Sequence, residues 1–553
     1  MIDLFPCIAL LIACVLVGTP HFWRAYETPK EVWVVLVGTG CAIWWGVQGS
    51  SQLGLPTGAV WALVGMFMLW GLRSLFAKFP QRALYDTACY ATGLVVVICC
   101  EFRLSVYALV AAGTLNALYG FMQSYFKWEP MKGTTNAAGN FYAIGFIGNE
   151  NMLGTFLVPV IFLNLWLVGE SWLWLVPLVI QLTTLVRTHC KTAMIGLVGG
   201  ALYVPCALGR PEYSVAVAAC MWMGYLLIGQ RFIRRGSSTL MERINYWKVA
   251  ERQIRKTPWF GVGFSELQNS VCFLQRELND SSGGGFLKRE NYIDPWPRRC
   301  HCDFLQHIVD HGVVGGLLVV GWVLGALWWG MGPGQPWSVV CTASALFGFM
   351  VCGLGFHTFY VLPTNLVFWF ITLNLWRLGG SSEVAIYGTT FLYIAIPLAL
   401  LTLILTGKKL LFDVGFQKFL RTGSDRTRTW LLEMFPDSAV LHDYVSLQCA
   451  SQLDVKGIIS HSAQAIVHYD GINRLWEAYA NLGSGLMLTG AMNLAERSYK
   501  QALSLWPAFE RGQRALKQLE EVRKVMSTGM GVIFEHEQAK AAGQTATSVP
   551  KGK

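Results

Sequence analysis

Charged residues are scarce in this sequence. They make up 14% of its 553 residues, whereas 54% are hydrophobic; an average soluble protein carries roughly 25% charged residues. This balance excludes an ordinary soluble chain and indicates that a bilayer surrounds most of the molecule. A basic segment ahead of the first apolar run is also missing, so we expect that run to be a retained span rather than a cleaved signal peptide.

A disulfide pattern is missing as well. The chain has 15 cysteines, most of them inside apolar runs, where a thiol behaves as a small hydrophobe. Cys272, Cys300 and Cys302 share one polar loop, so a bridge from Cys272 to either of the others stays open if that loop faces an oxidising compartment.

Metal-ligand spacings are absent too. His307 and His311 lie on one helical face with Asp303, where zinc is chemically conceivable. The spacing does not match a zinc finger, and the chain contains no Cys-x-x-Cys pair. We therefore expect no metal site and no cofactor.

Long apolar runs are what the sequence has instead. Each approaches the roughly 20 residues that a helix needs to cross a bilayer. They predict an all-α, polytopic helical membrane protein of about 12 to 13 spans. The runs are at about residues 2–18, 31–48, 57–72, 84–100, 104–123, 152–168, 171–187, 192–208, 213–230, 313–330, 337–355, 358–376 and 385–405.

Two long polar segments, 127–151 and 231–303, interrupt the apolar runs. Short turns leave little room for chemistry, so we expect function to concentrate in these segments. Residues 1–405 would form the membrane domain with 231–303 as its large loop. A basic juxtamembrane linker at 406–435 would follow, either as a helix on the headgroups or as a solvated segment.

The end of the chain predicts a small soluble helical domain at 436–530. It matches most of the 34-residue tetratricopeptide pattern, at Tyr479, Leu482, Gly483, Leu486, Gly490, Ala495, Tyr499, Ala502 and Pro507. One repeat cannot bury its own face, so we expect a degenerate second one from about Val440 to Tyr469. Residues 531–553 predict a disordered end.

The formal net charge of +10 falls mainly on the large loop and on the end of the chain after Lys408. It predicts an anionic partner at the membrane surface. Nucleic acid is not expected, because no base-reading module is visible.

The large loop opens with helical spacing from Met241 to Lys256. Arg243 and Trp247 are one turn apart on one face, and Pro258 followed by a Gly-Val-Gly turn ends the pattern. We expect Arg243 to lie against the Trp247 ring. The same spacing also fits an ordinary amphipathic surface helix with solvated cations.

The large loop closes with the run from Arg298 to Asp303. Asp303 and Gln306 have the form of a capping box, which places the start of the next helix at about Asp303. His301 would lie just outside that helix, where the positive helix pole, Arg298 and Arg299 keep the ring neutral and able to accept a proton. The alternative is a surface histidine with no task.

Two further places could line a polar site. Asn149 and Asn151 open a span, where they can cap the helix and line a cavity, although a plain turn explains them equally well. Lys191 lies between apolar segments, where its cation can snorkel or face a phosphate.

Together these pieces resemble the O-antigen ligase and O-antigen polymerase superfamily of bacterial envelope enzymes, over about residues 30–376. Four segments carry the resemblance: Gly145 to Asn151, Cys190 to Ala193, Arg243 to Gly263, and His301 with Asp303, Leu305, Gln306 and Gly312. The last is the most specific. Lys191 replaces an arginine usual in the family, which keeps the charge but loses the bidentate fork, and Cys302 replaces a usual asparagine.

The resemblance implies a metal-independent enzyme of the bacterial inner membrane. It would move a glycan from a polyprenyl diphosphate carrier to an acceptor hydroxyl on the outer side. Arg243 and Lys191 would bind the diphosphate, and His301 would orient or deprotonate the acceptor, which makes His301 and Arg243 the expected catalytic residues. The expected substrate-binding residues are Lys191, Asn149, Asn151, Trp247, Arg298, Arg299 and Gln306.

Other functions stay open. Within the superfamily, lipopolysaccharide ligase, polysaccharide polymerase and protein O-oligosaccharyltransferase differ only in the acceptor. From other classes, a multi-pass transporter usually has ionisable residues within its spans, which are rare here. A scaffold that works through a protein partner of the tetratricopeptide-like domain leaves the polar loops unexplained.

The predicted topology has the amino terminus inside and thirteen spans, which places the large loop and the tail in the periplasm. The positive-inside rule points the other way. Many basic residues would share the side of the loop: Arg24, Lys30, Arg73, Lys78, Arg82, Lys127 and Lys132. We nevertheless expect the loop in the periplasm, because a site that binds diphosphates must itself be basic, whatever its side of the membrane.

Overall fold

The computed structural model describes residues 4–15, 27–47, 50–52, 55–128, 142–215, 217–218, 237–284, 286, 299–331, 334–379, 385–471 and 474–525. Within these ranges the chain is helical apart from one short antiparallel ribbon, which pairs Ser50–Gln52 with Ala385–Tyr387. The predicted all-α class is confirmed.

The described α-helices are, in chain order, Leu4–Val15, Thr28–Val47, Thr57–Leu75, Pro80–Ile98, Phe102–Phe126, Glu150–Glu170, Leu175–Arg187, Lys191–Ala207, Ser237–Lys256, Leu267–Ser281, Asp303–Trp329, Trp337–Gly353, Leu362–Gly379, Gly388–Thr422, Asp425–Met434, Ala439–Ser451, Val455–Val467, Leu475–Leu488, Met492–Leu505 and Glu510–Val525. Short 3-10 turns lie at Gly145–Ile147 and Trp172–Trp174.

The apolar helices make this a multi-pass membrane protein. Of the described helices, four are long and apolar enough to cross a membrane: Thr57–Leu75, Phe102–Phe126, Glu150–Glu170 and Asp303–Trp329. Shorter apolar helices accompany them at Phe5–Val15, Trp172–Arg187, Lys191–Ala207 and Trp337–Gly353. The higher span count stays a prediction, and the expected span at 213–230 lies largely outside the described residues.

The chain divides into two compact units. The membrane unit comprises Met1–Leu267 and Pro297–Thr422, and the tail unit comprises Gln268–Trp296 and Gly423–Lys553. The large loop is therefore shared between them, since its middle belongs to the same unit as the end of the chain.

Side-chain hydrogen bonds connect the ends of helices at two faces of the membrane unit. On the first, called the loop face, they join Lys30 to Phe146, Arg73 to Gly261, Arg187 to Ser124 and Arg243 to Thr192. On the second they join Arg377 to Ile98 and Arg103 to Glu170. The helix Phe102–Phe126 therefore runs from the second face, at Arg103, to the loop face, at Ser124.

The helix Gly388–Thr422 ends on the loop face. Its Lys409 pairs with Glu31, and its Asp413 accepts a hydrogen bond from Thr28. Up to Thr422, the segment that was predicted as a linker from residue 406 continues this helix and belongs to the membrane unit. Its placement on the headgroups or in solvent stays a prediction. The large loop and the end of the chain thus leave this unit at the same face.

Small residues bring the helix Lys191–Ala207 close to two neighbouring helices. A Cβ on Gly196 would lie 2.2 Å from Cys352 Sγ, and one on Gly200 would lie 2.4 Å from the Phe162 ring. These glycines are four apart on Lys191–Ala207, so one small-residue stripe lets that helix lie directly against its neighbours, as is common in membranes.

The helix Asp303–Trp329, called the histidine helix below, breaks at Gly312. Gly312 has φ 70 and ψ −178, and a Cβ there would lie 2.0 Å from the Trp259 carbonyl oxygen. Gly261, with φ 66, comes equally near the backbone of Asp310, at 2.5 Å from a Cβ. The glycine turn of the large loop thus packs directly on the kink, and only glycine fits either position.

In the tail unit, each of the helices from Ala439–Ser451 to Glu510–Val525 contacts the next. Gly483 lies against the Tyr499 ring, 2.7 Å from a Cβ, as the small-residue crossing of the predicted pattern requires. The tetratricopeptide assignment itself stays a prediction. The end of the chain that was expected to be disordered, 531–553, lies outside the described residues.

Candidate functional site

Arg243 reaches the loop face from the helix Ser237–Lys256, called the arginine helix below. Its Nη1 donates to Thr192 Oγ1 at 3.1 Å, and Thr192 lies in the first turn of Lys191–Ala207. A Cβ on Gly355 would lie 3.2 Å from the same nitrogen. Burial lowers the pKa of Arg243, but a guanidinium stays charged at neutral pH. The site therefore holds a fixed cation at a helix amino end.

Trp247 does not have the predicted place. Among the described contacts Arg243 bonds Thr192, not the Trp247 ring. Trp247 is half-buried, and its Nε1 has no hydrogen-bond partner within the described residues. Within the described contacts the indole does not hold the arginine.

His301 lies directly ahead of the histidine helix, as predicted. Its ring stacks on Tyr246, with centroids 5.3 Å apart, and meets His357 edge-on at 4.9 Å. Its φ of 55 is in the left-handed region, which is uncommon for a residue other than glycine. Tyr246 follows Arg243 by three positions, so the arginine helix supplies both the cation and the ring that supports His301.

The His301 ring is neutral at physiological pH. Burial, followed by the positive charge of Arg243, lowers the pKa of His301 to about 4. Burial also lowers the pKa of His357, and His301 acts in the same direction. A neutral ring was predicted, but from the helix pole and from Arg298 and Arg299; the structure assigns it to burial and to Arg243.

Asp303 is not a helix cap. The histidine helix begins at Asp303, as predicted, but its N-cap is Cys302, without a side-chain cap. The Asp303 carboxylate instead accepts hydrogen bonds from the Thr358 hydroxyl and from Phe359 N, the latter at 3.1 Å. The carboxylate thus holds the segment that carries His357, and the capping-box interpretation was wrong about its role.

Gln306 and Arg299 brace the backbone around His301. Gln306 Oε1 accepts from Cys300 N at 2.9 Å, and its Nε2 donates to Asp310 Oδ1 at 2.9 Å. Arg299 donates to Ser265 Oγ at 2.7 Å. Both side chains were predicted to bind substrate, but their recorded partners are protein groups. They fix the residue that precedes His301.

Asn149 and Lys191, which were also predicted to bind substrate, lie at the starts of two helices. Asn149 is the N-cap of Glu150–Glu170 and accepts from Asn151 N at 2.8 Å, so of the two alternatives it takes the cap. Lys191 is exposed at the first position of its helix. Arg298 lies outside the described residues.

His357 is the residue that sequence reasoning missed. It falls in the two-residue gap between the predicted spans 337–355 and 358–376. A histidine in so short a turn carries a weak signal of function. Only the tertiary fold shows that it lies beside His301.

The zinc and disulfide alternatives gain no support. Within the described residues, no group of three or more His, Cys, Asp or Glu side chains could hold a metal ion. His311 stacks on Trp70 at 4.8 Å. The Cys272 thiol donates to Tyr469, and that of Cys300 to the Cys302 carbonyl, so each thiol is engaged elsewhere.

The loop face combines a neutral imidazole, a fixed cation and several helix amino ends. Glu150–Glu170, Lys191–Ala207, the histidine helix and Leu362–Gly379 all begin on the loop face. Helix amino ends and arginine both favour anions, above all phosphates. These groups together favour an anionic ligand at the loop face.

One comparison with known proteins gives a match. Residues 176–320 match the sequence model of the O-antigen ligase family, and the matched stretch includes Thr192, Arg243 and His301. A search of curated proteins finds no match. The chain is thus similar to O-antigen ligases over this stretch, which supports a ligase- or polymerase-type transfer of glycans, with a lipid-linked donor and a glycan acceptor in general terms.

Proposed function

We propose that this protein transfers an oligo- or polysaccharide from a polyprenyl diphosphate carrier, such as undecaprenyl diphosphate, to an acceptor hydroxyl in bacterial envelope polysaccharide synthesis. The observation that carries the proposal is the pairing of a charged Arg243 with a neutral His301 on one face of a membrane protein. An O-antigen ligase-like reaction needs both groups, one for each reactant.

The donor would bind on the side of Arg243. The departing diphosphate gains negative charge as its bond to the sugar breaks, so fixed cations and helix dipoles stabilise the transition state most. Arg243 is already held by Thr192 and needs no reorganisation. The exposed Lys191 can add a second cation, and the half-buried Trp247 can contact the glycan or the carrier.

The acceptor would bind on the side of His301. As the acceptor oxygen bonds to the anomeric carbon, its proton passes to the neutral His301 ring. The bond from that carbon to the diphosphate oxygen breaks, and the diphosphate leaves on its lipid. His357, edge-on to His301, would fix the orientation of the ring.

Turnover should not require a divalent metal, because cationic side chains supply the charge that metals supply in much phosphate chemistry. We expect purified protein, incubated with a lipid-linked glycan and one acceptor at a time, to give a product with the summed mass, with or without chelator. Lipopolysaccharide core, growing glycan and protein as acceptors distinguish ligase, polymerase and oligosaccharyltransferase. Loss of product in chelator that zinc or magnesium restores would overturn metal independence.

We infer that the loop face and the tail lie on the periplasmic side of the inner membrane. The supporting observation is that the large loop and the final helix Gly388–Thr422 leave the membrane unit at the same face. The loop and the tail are therefore expected on the same side of the membrane. A reporter that is active only in the periplasm, fused after residue 525, should be active. An active cytoplasmic reporter at that position would reverse the orientation.

Asp303→Ala should destabilise the protein by about 1–3 kcal/mol, because it leaves the buried Phe359 N–H without its acceptor. Transfer should also fall, since the segment with His357 is released. Thermal unfolding of the purified protein measures the first effect. Asp303→Asn is the control, because an amide oxygen can still accept one bond. An unchanged unfolding temperature in Asp303→Ala would show that the carboxylate does not stabilise the segment that carries His357.

A further inference from the structure

The tail unit contains part of the large loop. Cys272, in the loop helix Leu267–Ser281, is buried in one apolar cluster with Tyr469, Leu475 and Trp476. Its thiol donates to the Tyr469 hydroxyl at 3.4 Å. The neighbouring Phe273 meets the Tyr469 ring edge-on at 6.1 Å. A helix of the loop is thus packed as one more element of the helical tail.

The backbones of the tail and of the loop helix come close together at Gly471. A Cβ there would lie 2.6 Å from the Gln268 carbonyl oxygen and 2.8 Å from Asn269 N, and the φ of Gly471 is 79. The contact is backbone against backbone, so no side chain can move aside. Glycine is required both by the conformation and by the space, which makes this contact sensitive to a single methyl group.

The docked segment adjoins the site at its amino end. Gln268 follows closely after Ser265, whose backbone N donates to Asp310 and whose hydroxyl receives Arg299. Arg299 in turn lies two positions before His301. Displacement of the segment therefore acts through Ser265 on the residues that flank the base.

We propose that the tail acts on the transfer site within the same chain. By holding the loop helix, it keeps residues 261–265 and 299–303 in their working positions, so that transfer requires the tail. The tail is then an internal support for the site, and its contact surface around Tyr469 and Gly471 takes a helix of this chain rather than a foreign protein. The effect on transfer rests on the proposed function; the effect on the order of the site does not.

The test compares two glycines with the same backbone conformation. Gly471→Ala introduces a Cβ against the loop helix, whereas Gly490→Ala, at φ 77, introduces one into open space. Left-handed strain is common to both, so only the loop contact differs. Hydrogen exchange of the full-length protein in lipid, read by mass spectrometry, reports on residues 268–281 and 299–303 without any substrate.

We expect exchange in both segments to be at least about tenfold faster in Gly471→Ala than in Gly490→Ala, since about 1.4 kcal/mol of lost docking changes a local opening equilibrium tenfold. Transfer should fall in parallel. Equal exchange in the two variants would overturn the docking. Faster exchange at 268–281 alone, with 299–303 and transfer unchanged, would overturn the link to the site.

A second variant guards against a general loss of tail structure. Phe273→Ala alters the contact from the loop side, and its side chain is 45% exposed, so the tail keeps its own core. If Gly471→Ala also speeds hydrogen exchange in the helices from Leu475 to Leu505, the comparison is made with Phe273→Ala instead. Faster exchange at residues 268–281 and 299–303 in that variant supports the proposal, and unchanged exchange overturns it. A protein whose site segment responds as expected but which never transfers glycan would refute the proposed function and leave the tail's role standing.

Discussion

Arg243→Ala should reduce transfer by on the order of 10² to 10³ or more, the cost of removing one preorganised donor from a developing anion. Donor binding should weaken at the same time, because the cation meets the diphosphate before the bond breaks as well as during its departure. The protein should still fold, since the recorded hydrogen bond of the guanidinium is a single one to Thr192. Transfer rate and donor affinity, measured on the same preparation, test both effects.

Two control substitutions show whether the effect is specific to the Arg243 guanidinium. Lys248→Ala removes an exposed cation from the same helix and should leave transfer near normal. Arg243→Lys keeps the charge but loses the planar fork, so it should recover donor affinity better than rate. If Arg243→Ala and Lys248→Ala behaved alike, the general charge of the loop rather than this arginine would serve the donor.

Some local features of the site could be predicted from the sequence. The start of the histidine helix at Asp303 was predicted from the capping-box pattern of Asp303 and Gln306 ahead of an apolar run, and this information lies within a few residues. Gly261 and Gly312 also stand out in the sequence. Their structural role could not be predicted, because each is required by a close backbone segment from another part of the chain.

The long-range features could not be predicted. Tyr246 and His357 support His301 only through tertiary packing, and no spacing rule pairs them. Asp303 was assigned to a local cap, the usual role of an aspartate at that position, but a longer-range contact to Phe359 replaced it. The packing of Cys272 against Tyr469 joins positions almost two hundred residues apart, which no periodicity can reveal.

His301→Ala should reduce transfer by roughly 10² to 10⁴, the usual contribution of a positioned base, while donor binding stays near normal. The ring is neutral, with a pKa lowered to about 4 by burial and by Arg243, so it adds no charge to the diphosphate site. This separates it from Arg243, whose loss affects both quantities. Donor affinity and single-turnover rate of the variant are the measurements.

The pH dependence gives an independent check on the same residue. A base acts in its neutral form, which dominates above its pKa, so transfer should be insensitive to His301 between about pH 5.5 and 8 and fall only as the pH drops toward 4. A decline centred near 6.5 would mean that the ring is solvated rather than buried beside Arg243. His301→Gln keeps a polar side chain but cannot take up a proton, so it should not restore the rate. Near-normal transfer in either folded variant would remove His301 from the mechanism, and with it the residue that distinguishes a glycan-transfer site from a simple anion-binding surface.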